Sequence, residues 1–369
     1  MNSKHIRILG TRGIPANHGG FETFAERLSL HLVESGWNVS VYCQLDNGQR
    51  IKIDHWNGVE RIHIPVRRSG ALGTIEFDLK STLHTLRHNN LVLTLGYNTA
   101  IFCLLYRLKG ITNLINMDGI EWRRSKWRKY EQAWLYLNER LGCWLGNHLI
   151  ADHPEIKLHL TTRVPAEKIT MIPYGADKVT EANNNLLLRF GLEPRRYALV
   201  IARPEPENSI LEIVRAYSSK PRGYSLVVLG AYQPSDNSYH RKVMDAASKE
   251  VLFIGPVYDK NIVEALRYYC RLYVHGHTVG GTNPSLVEAL GAGSPVMAHD
   301  NPFNRWVSGP GAKYFRDERQ CEAFFDTLLE NEEELQKMAQ SSRLCHKENF
   351  TWGRVLHAYE QLLIRFDAK

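Results

Sequence analysis

Cysteine pairs, zinc-type motifs and long apolar runs are all missing from this sequence of 369 residues. The six cysteines are scattered, without a CxxC pair or a histidine at metal-ligand spacing, so neither a disulfide framework nor a zinc site is predicted. No apolar run approaches the roughly 20 residues that cross a bilayer. The first residues lack the pattern of a secretory signal. We therefore expect a cytoplasmic protein without a membrane span.

The positive charge is distributed unevenly along the chain. Residues 1–175 hold 22 Lys and Arg against 15 Asp and Glu, whereas the remainder holds 24 of each, so the net charge of +7 lies in the first half. A basic half is typical of proteins that bind nucleic acid or an anionic membrane. Because no recognition helix, zinc finger or RNP-type aromatic motif accompanies the charge, we expect no nucleic acid partner.

Alternating strand and helix patterns predict an α/β protein with two doubly wound, Rossmann-like domains that face a cleft. The predicted domains cover 1–175 and 176–350, with the linker near 173–182, and a C-terminal helix in 351–369 packs back toward the first domain. The predicted strands cover 5–9, 38–43, 59–64, 91–95, 112–117, 148–151, 197–201, 225–229, 251–254 and 272–275. The predicted helices include 21–34, 209–217, 261–269, 284–291, 318–331 and 351–366.

A glycine-rich loop, GTRGIPANHGG in residues 10–20, joins the first predicted strand to the first helix. Glycine lets backbone N–H groups approach an anion near a helix N-terminus, so a diphosphate is the natural ligand. Gly19 and Gly20, at the start of the helix, are the most informative residues. The loop does not match GxGxxG, so an ordinary tight turn remains the alternative.

A second candidate site begins with ARPEPENS in residues 202–209. Arg203 follows a predicted strand, at the carboxyl end of the sheet where α/β proteins bind ligands. A guanidinium at that position can hold a phosphate through paired hydrogen bonds. The alternative is a surface salt bridge from Arg203 to Glu205 or Glu207.

The strongest local motif is HGHTVGGTNPSLVEAL in residues 275–290. A strand ends, a glycine-rich loop follows, and Pro284 suits the first turn of a helix, so the motif predicts a second anion site. The candidate binding residues are His275, Gly280, Gly281, Thr282 and Asn283. Glu288, about one turn into the helix, can accept hydrogen bonds from ribose hydroxyls, although a solvated helix face is the alternative. The two histidines lack a third ligand, so no metal site is expected.

Together these motifs resemble retaining GT-B enzymes of glycosyltransferase family 4, and among them bacterial rhamnosyltransferases of polysaccharide assembly. The resemblance covers nearly the whole chain and rests on GTRGIPANHGGFET, NMDGIEWRRSKW, IPYGAD, ARPEPEN and HGHTVGGTNPSLVEAL. It implies transfer of a hexose, with rhamnose from dTDP-rhamnose as the best match, from a nucleotide sugar to a lipid-linked oligosaccharide. It also implies anomeric retention, without a cofactor or metal ion.

By the same resemblance, Gly19 and Gly20 lie against the donor diphosphate or the acceptor, Arg203 binds the donor phosphates and Glu288 binds the ribose. Two positions depart from the family pattern. The first glutamate of the family's E-x7-E motif would fall at Gly280, and the lysine five residues after the phosphate-binding arginine is replaced by Asn208. By the resemblance, Asn208 lies in the donor site but carries no positive charge. Arg203 therefore has more of the leaving-group charge to stabilise.

The segment NMDGIEW in residues 116–122 supplies two carboxylates after a predicted strand. Asp118 or Glu121 can orient or deprotonate an acceptor hydroxyl, and Asp118 is the first choice. The alternative role for Asp118 is to cap the following helix.

The next segment, WRRSKWRKY, runs from Trp122 to Tyr130 and interleaves five basic residues with three aromatic ones. This pattern is typical of a segment at an anionic bilayer, which predicts a protein peripheral on the inner face of the cell membrane. The alternative is a solvated helix face whose aromatic side chains pack inward.

Three other functions fit the sequence less well. An NAD-dependent oxidoreductase requires GxGxxG and an acidic residue at the end of the second strand, which instead ends at Tyr42-Cys43-Gln44. A sugar-nucleotide epimerase of the same architecture has no glycan acceptor and gives the basic aromatic segment no role. A nucleic-acid binder does not account for the balanced charge and phosphate-sized loops of the second half.

Overall fold

The computed structural model describes residues 4–16, 19–46, 48–124 and 126–367. The chain divides into two compact units, Met1–Pro173 with Trp352–Lys369, and Tyr174–Thr351. Each unit contains one sheet flanked by helices.

The first unit is built on an eight-stranded sheet with the order β3-β4-β2-β1-β5-β6-β7-β8. These strands are β1 (His5–Leu9), β2 (Asn38–Asp46), β3 (Lys52–Trp56), β4 (Val59–Val66), β5 (Leu91–Leu95), β6 (Asn113–Asn116), β7 (His148–Ala151) and β8 (Ile169–Met171). All neighbours are parallel except β3 and β4. Ile6 of β1 lies opposite Val39 on one side and Leu91 on the other, so the chain reverses its direction across the sheet between β1 and β5.

Helices cover the first sheet because its strands are apolar on both faces. They are α1 (Gly20–Glu34), α2 (Gly70–Thr85), α3 (Cys103–Lys109), α4 (Lys129–Leu145) and α5 (Pro154–Thr161). Ile8 of β1 and Leu28 of α1 are fully buried. Each such side chain contributes roughly 1.5–3 kcal/mol through burial.

The second unit has a wholly parallel sheet of six strands with the order β11-β10-β9-β12-β13-β14. The strands are β9 (Tyr197–Ile201), β10 (Ser225–Leu229), β11 (Val251–Gly255), β12 (Leu272–His275), β13 (Val296–His299) and β14 (Lys313–Phe315). Here the direction of the chain across the sheet reverses between β9 and β12. Ligands of open α/β sheets bind outside the carboxyl ends of the strands at such a reversal.

Eight helices of the second unit pack on the two faces of this sheet. They are α6 (Asn185–Leu188), α7 (Ile210–Ser218), α8 (Ser238–Asp245), α9 (Lys260–Tyr269), α10 (Pro284–Gly291), α11 (Pro302–Ser308), α12 (Glu318–Leu328) and α13 (Glu332–Asn349). Several begin at an Asn or Asp whose side chain accepts a first-turn N–H, as Asp259 does for α9 and Asn283 for α10.

The chain then returns to the first unit as α14 (Trp352–Asp367). Its Tyr359 is buried, with the ring centroid 4.6 Å from that of Phe24 on α1. The Asn116 side-chain amide at the end of β6 donates to the Tyr359 hydroxyl at 2.8 Å. This last helix is therefore part of the first unit's core.

Every strand predicted from the sequence is present, but β3, β8, β13 and β14 were not predicted. β3 is joined to β4 by Asn57-Gly58, both with positive φ (47° and 82°), which is the hairpin pattern that an Asn-Gly pair favours. The other three strands have only three or four residues. The helix expected over 318–331 ends at Leu328.

All six cysteines are free thiols. Within the described ranges, no helix combines the length and the apolar composition needed to cross a membrane.

Candidate functional site

In the second unit, the two predicted phosphate motifs flank the reversal of the sheet. ARPEPEN follows β9 and HGHTVGG follows β12, and these strands are neighbours. The Thr278 backbone N–H and hydroxyl both donate to the backbone oxygen of Glu207, each at 2.9 Å. The two loops are therefore fixed to each other at the carboxyl edge of the sheet.

Glycine is required where these loops meet. A Cβ atom on Gly276 would lie 2.1 Å from the backbone oxygen of Asn208, far inside van der Waals contact. Any larger residue would push the loop after β12 away from the loop after β9.

Arg203 is exposed at the end of β9. Within the described part of the chain, its guanidinium forms no hydrogen bond or salt bridge, so the alternative pairing with Glu205 or Glu207 is not formed. Its backbone is fixed, because the Asn208 side-chain amide donates to the Arg203 backbone oxygen at 2.8 Å. The result is an available cation on an ordered loop.

Asn208, which stands where the family pattern has lysine, is buried rather than exposed. Its amide nitrogen is engaged by the Arg203 backbone, and its Oδ1 has no hydrogen-bond partner among the described residues. The side chain therefore shapes the Arg203 loop and leaves one buried acceptor without a protein donor.

Two histidines of the β12 loop stack face to face. The ring centroids of His275 and His277 are 4.2 Å apart with an interplanar angle of 7°. His275 is buried, and within the described structure neither of its ring nitrogens has a hydrogen-bond partner. Burial lowers the pKa of His275 well below its ordinary value, so this ring is neutral at physiological pH.

The loop before α10 contains the remaining candidate residues. Gly280 has a φ of 147° and open space around it, whereas Thr282 is buried. The Asn283 side chain accepts the Ser285 N–H at 3.0 Å. This cap occupies the Ser285 N–H, so that first-turn amide is not available to an anion.

Glu288 on α10 does not have the freely solvated side chain of the alternative interpretation. Its Oε2 lies 2.6 Å from the Nη2 of Arg267 on α9, and the side chains are 35% and 7% exposed, respectively. The partly exposed carboxylate is held by a buried cation. Sequence analysis did not identify Arg267, because nothing in the pattern of α9 distinguishes it from other helix-face arginines.

In the first unit, the glycine loop follows β1 at the corresponding reversal. A Cβ atom on Gly10 would lie 2.1 Å from the backbone oxygen of Leu95 at the end of β5. Gly19 precedes α1 with a φ of 83°, and Gly20 is its first residue. Residues 17 and 18 of this motif lie outside the described ranges.

Asp118 occupies a left-handed backbone conformation, with a φ of 52°, just after β6. Its N–H donates to the Asn116 side-chain oxygen at 2.9 Å. Burial, with the nearby charge of Glu121, raises the pKa of Asp118 to about 6. The capping alternative is wrong, because the short helix Glu121–Arg123 begins after Ile120 and α4 begins after Arg128.

Glu121 is engaged by the basic segment that follows it. Its carboxylate accepts from Arg124 Nη1 at 2.8 Å and from the Trp127 indole at 3.3 Å, and Lys126 Nζ lies 3.7 Å away. Its backbone N–H donates to the Tyr97 hydroxyl at 2.8 Å. Among the residues that the structure describes, Glu121 forms salt bridges to this segment and Asp118 forms none.

The segment 122–130 is not one continuous helix face. The Trp122 indole donates to Glu139 on α4 at 2.6 Å and packs edge-on against Tyr136, while Trp127 turns toward Glu121. Two of the three aromatic rings are therefore engaged by carboxylates of the protein. Tyr130 is 65% exposed. Ser125 lies outside the described residues.

No group of three or more His, Cys, Asp or Glu side chains is placed to hold a metal ion in the part of the chain that the structure describes. The prediction that neither a metal ion nor a cofactor is needed stays a prediction.

Two family profiles match the chain. Residues 3–177 match "Domain of unknown function (DUF1972)", and residues 190–344 match "Glycosyl transferases group 1". Among curated proteins no match was found.

Solved structures resemble the chain along nearly its whole length. Sucrose-phosphate synthase from Thermosynechococcus elongatus has a TM-score of 0.81 and 16% identity, over 99% of each chain. Anabaena HepE in complex with UDP and glucose has a TM-score of 0.76 and 14% identity, over 98% of this chain and 100% of that one. A UDP-forming α,α-trehalose-phosphate synthase from Burkholderia xenovorans, in complex with glucose-6-phosphate, has a TM-score of 0.71 and 12% identity, over 98% and 100%. The predicted fold class is confirmed as GT-B, with two Rossmann-like domains.

Proposed function

We propose that this chain, a glycosyltransferase of GT-B type, transfers a hexose from a nucleotide sugar to a lipid-linked glycan with retention of anomeric configuration. The proposed donor is dTDP-rhamnose, and the proposed role is bacterial surface polysaccharide synthesis, as the resemblance to family 4 rhamnosyltransferases implies. The protein would act in the cytoplasm, at the inner face of the cell membrane. No metal ion or cofactor is part of the proposal.

The observation that carries the proposal is the available guanidinium of Arg203. It stands at the carboxyl end of β9, at the reversal of the second sheet, without a partner among the described residues. The surrounding residues, 190–344, match Glycosyl transferases group 1. A positioned arginine at this edge is suited to a diphosphate.

The structural relatives support a nucleotide sugar as the donor. HepE is described in complexes with UDP and with UDP-glucose. For this chain, the corresponding ligand is a nucleoside diphosphate sugar whose base and hexose depend on its own loop residues.

In the proposed reaction, the bond between the anomeric carbon and the β-phosphate oxygen breaks through an oxocarbenium-like state. Arg203 and the loop amides around Gly280 stabilise the charge that develops on the departing diphosphate. The Thr278–Glu207 contact holds the two loops before the donor arrives, so little reorganisation is needed at the moment of reaction.

Glu288 is proposed to hold the ribose hydroxyls. Its Oε2 is paired with Arg267, which fixes the carboxylate in direction, while the exposed fraction of the side chain leaves room for a hydroxyl donor. The pair therefore offers an oriented acceptor to the nucleoside.

Asp118 is proposed to orient the acceptor hydroxyl and to receive its proton. A pKa of about 6 places the carboxylate close to the operating pH, where a general base is most effective. Glu121 contributes through its negative charge, which helps to raise the pKa of Asp118.

The proposed donor, the lipid-linked acceptor and the retention of configuration are tested by analysing the product formed from dTDP-rhamnose and a polyprenyl-diphosphate-sugar acceptor. We expect a rhamnosylated lipid whose anomeric configuration, measured by NMR, equals that of the donor, with a rate unchanged by EDTA. A product of inverted configuration would exclude the retaining mechanism. Transfer only from a different nucleotide sugar would show that the donor sugar is not rhamnose, but the protein would still be a glycosyltransferase.

A further inference from the structure

The helices α3 and α4, which are neighbours in the first unit, expose large apolar side chains. Leu108 is 77% and Trp144 is 71% exposed. The exposed apolar residues are Leu104, Leu108, Tyr130, Trp134, Tyr136, Leu137 and Trp144. A helix normally turns such residues inward, so this surface calls for a partner.

On α4 the exposed apolar residues form a stripe. Tyr130, Trp134, Leu137 and Trp144 follow one another at spacings of four, three and seven residues, which places them on one side of the helix. The other side packs inward through Leu135, Asn138, Gly142 and Cys143. The helix is thus apolar on two sides, one facing the core and one facing outward.

The charges among these residues have a single sign. All exposed charged side chains on α3 and α4 are basic, namely Arg107, Lys109, Lys129 and Arg140. Both acidic residues of α4 are engaged within the protein. Glu131 accepts the Arg128 N–H at 2.7 Å, and the buried Glu139 accepts from Trp122 and pairs with Arg163.

We propose that this surface, the α3–α4 face (the seven apolar and four basic residues named above), docks on an anionic lipid bilayer. The proposal deepens the proposed function, because it rests on an acceptor that is lipid-linked. Tryptophan and tyrosine favour the headgroup region, leucine favours the acyl boundary, and lysine and arginine are attracted to anionic lipids. The face combines all three.

Helix α4 is also hydrogen-bonded to the loop that contains the proposed acceptor base. The Trp122 indole, in the loop that contains Asp118 and Glu121, donates to Glu139 on α4 at 2.6 Å. A bilayer held against α4 therefore lies beside an element to which the proposed acceptor base is anchored. Of the residues of this face, Lys129 and Tyr130 belong to the segment 122–130, in which the sequence analysis placed the membrane contact, and the others lie outside it.

A second copy of the chain fits the face less well. In a symmetric dimer the same patch lies on both subunits, so four cations would face four cations. The exposed residues of α3 and α4 include no acid that would pair with them. Charge therefore favours an anionic partner.

The test is flotation of the full-length protein with vesicles of phosphatidylcholine, with and without phosphatidylglycerol. We expect binding only to the anionic vesicles, weakened by salt. The variant Leu108→Ser/Leu137→Ser/Trp144→Ser should lose binding, and Arg107→Gln/Arg140→Gln should bind more weakly by roughly 5-fold per cation removed. The matched control is Leu158→Ser/Leu188→Ser, two leucines that are 63% and 70% exposed on α5 and α6.

Binding of the triple serine variant at the level of the native protein would overturn the proposal. A second result would also overturn it: light scattering shows that the native protein is a dimer and the triple serine variant a monomer, and neither protein binds vesicles. Sugar transfer to a detergent-dispersed lipid acceptor, without vesicles, separates this proposal from the proposed function. Transfer that persists in the triple variant, together with lost flotation, supports docking alone as the role of the face.

Discussion

At the scale of single residues, the candidate site differs from ordinary surface in the partners that its charged groups have or lack. Arg203 has none among the described residues, Glu288 is held by a buried arginine, and Asp118 is a half-buried carboxyl with a raised pKa. Such groups cost stability or contribute little to it, which is typical of positions kept for function.

Arg203→Ala should lower turnover by at least about 100-fold, because the departing diphosphate loses its cation. Its effect on the melting temperature should be small, since the guanidinium is exposed and has no partner among the described residues. Steady-state kinetics and thermal unfolding measure the two effects. Arg215→Ala, at another exposed arginine of the second unit, is the control and should change neither. A fully active Arg203→Ala enzyme would remove this residue from the mechanism.

Asp118→Asn should abolish transfer and yet stabilise the protein above pH 6. The folded-state pKa of about 6 exceeds the ordinary carboxyl value of about 3.9, so ionisation opposes folding. The associated stability is present below about pH 4 and is lost as the pH rises through 6. The variant cannot ionise, and we expect it to gain up to about 3 kcal/mol at pH 7.5 and almost nothing near pH 4.

Urea unfolding at the two pH values measures this difference, with the exposed Asp236→Asn as control. Equal stability of the native protein and Asp118→Asn at both pH values would mean that the pKa of Asp118 is not raised in the folded protein. Native activity should also fall as the pH drops below 6, because the base becomes protonated.

Sequence analysis could propose Arg203, Asp118 and Glu288 as candidates, because each follows a strand or lies one turn beyond a glycine loop. It could not identify Arg267, whose role depends on the packing of α9 beside α10. It also could not foresee that Asn208 turns inward, because a single asparagine in a loop suits either direction.

At the scale of elements, the close approach of two loops organises the second site. Gly276→Ala places a Cβ atom 2.1 Å from the Asn208 backbone oxygen, so one loop must move. We expect a loss of about 1–3 kcal/mol in the free energy of unfolding and a raised KM for the donor.

Gly353→Ala is the control, since a Cβ atom there meets nothing within 4 Å and the residue lies in α14. Chemical unfolding and donor titration provide the measurements. A Gly276→Ala protein with native stability and native donor KM would show that the loops tolerate separation.

Element prediction succeeded where a strand is a continuous apolar run, as in YALVI of β9 and SLVVL of β10. It failed for β14, whose three residues KYF pair with β13 only in the folded sheet. The antiparallel β3 was missed although Asn57-Gly58 supplied a hairpin pattern, because its strand KIDHW is largely polar.

At the scale of the whole molecule, the sequence provided the fold class through the repeated strand and helix rhythm of its two halves. The C-terminal helix expected in 351–369, packing back toward the first domain, corresponds to α14. This helix lies in the first unit, where Tyr359 accepts a hydrogen bond from Asn116, 243 positions earlier. Four of the basic residues in 1–175 lie on α3 and α4, whose exposed charges are all positive.

The central claim is that this GT-B protein is a nucleotide-sugar-dependent transferase. The most direct measurement is release of nucleoside diphosphate by the purified protein from dTDP-rhamnose, UDP-glucose, UDP-galactose, UDP-N-acetylglucosamine, GDP-mannose and GDP-fucose, with and without a polyprenyl-diphosphate-sugar. We predict release from one donor that depends on the acceptor. Conversion of a donor without any acceptor would contradict the claim and favour an epimerase, and no release from any donor would leave the fold without the proposed activity.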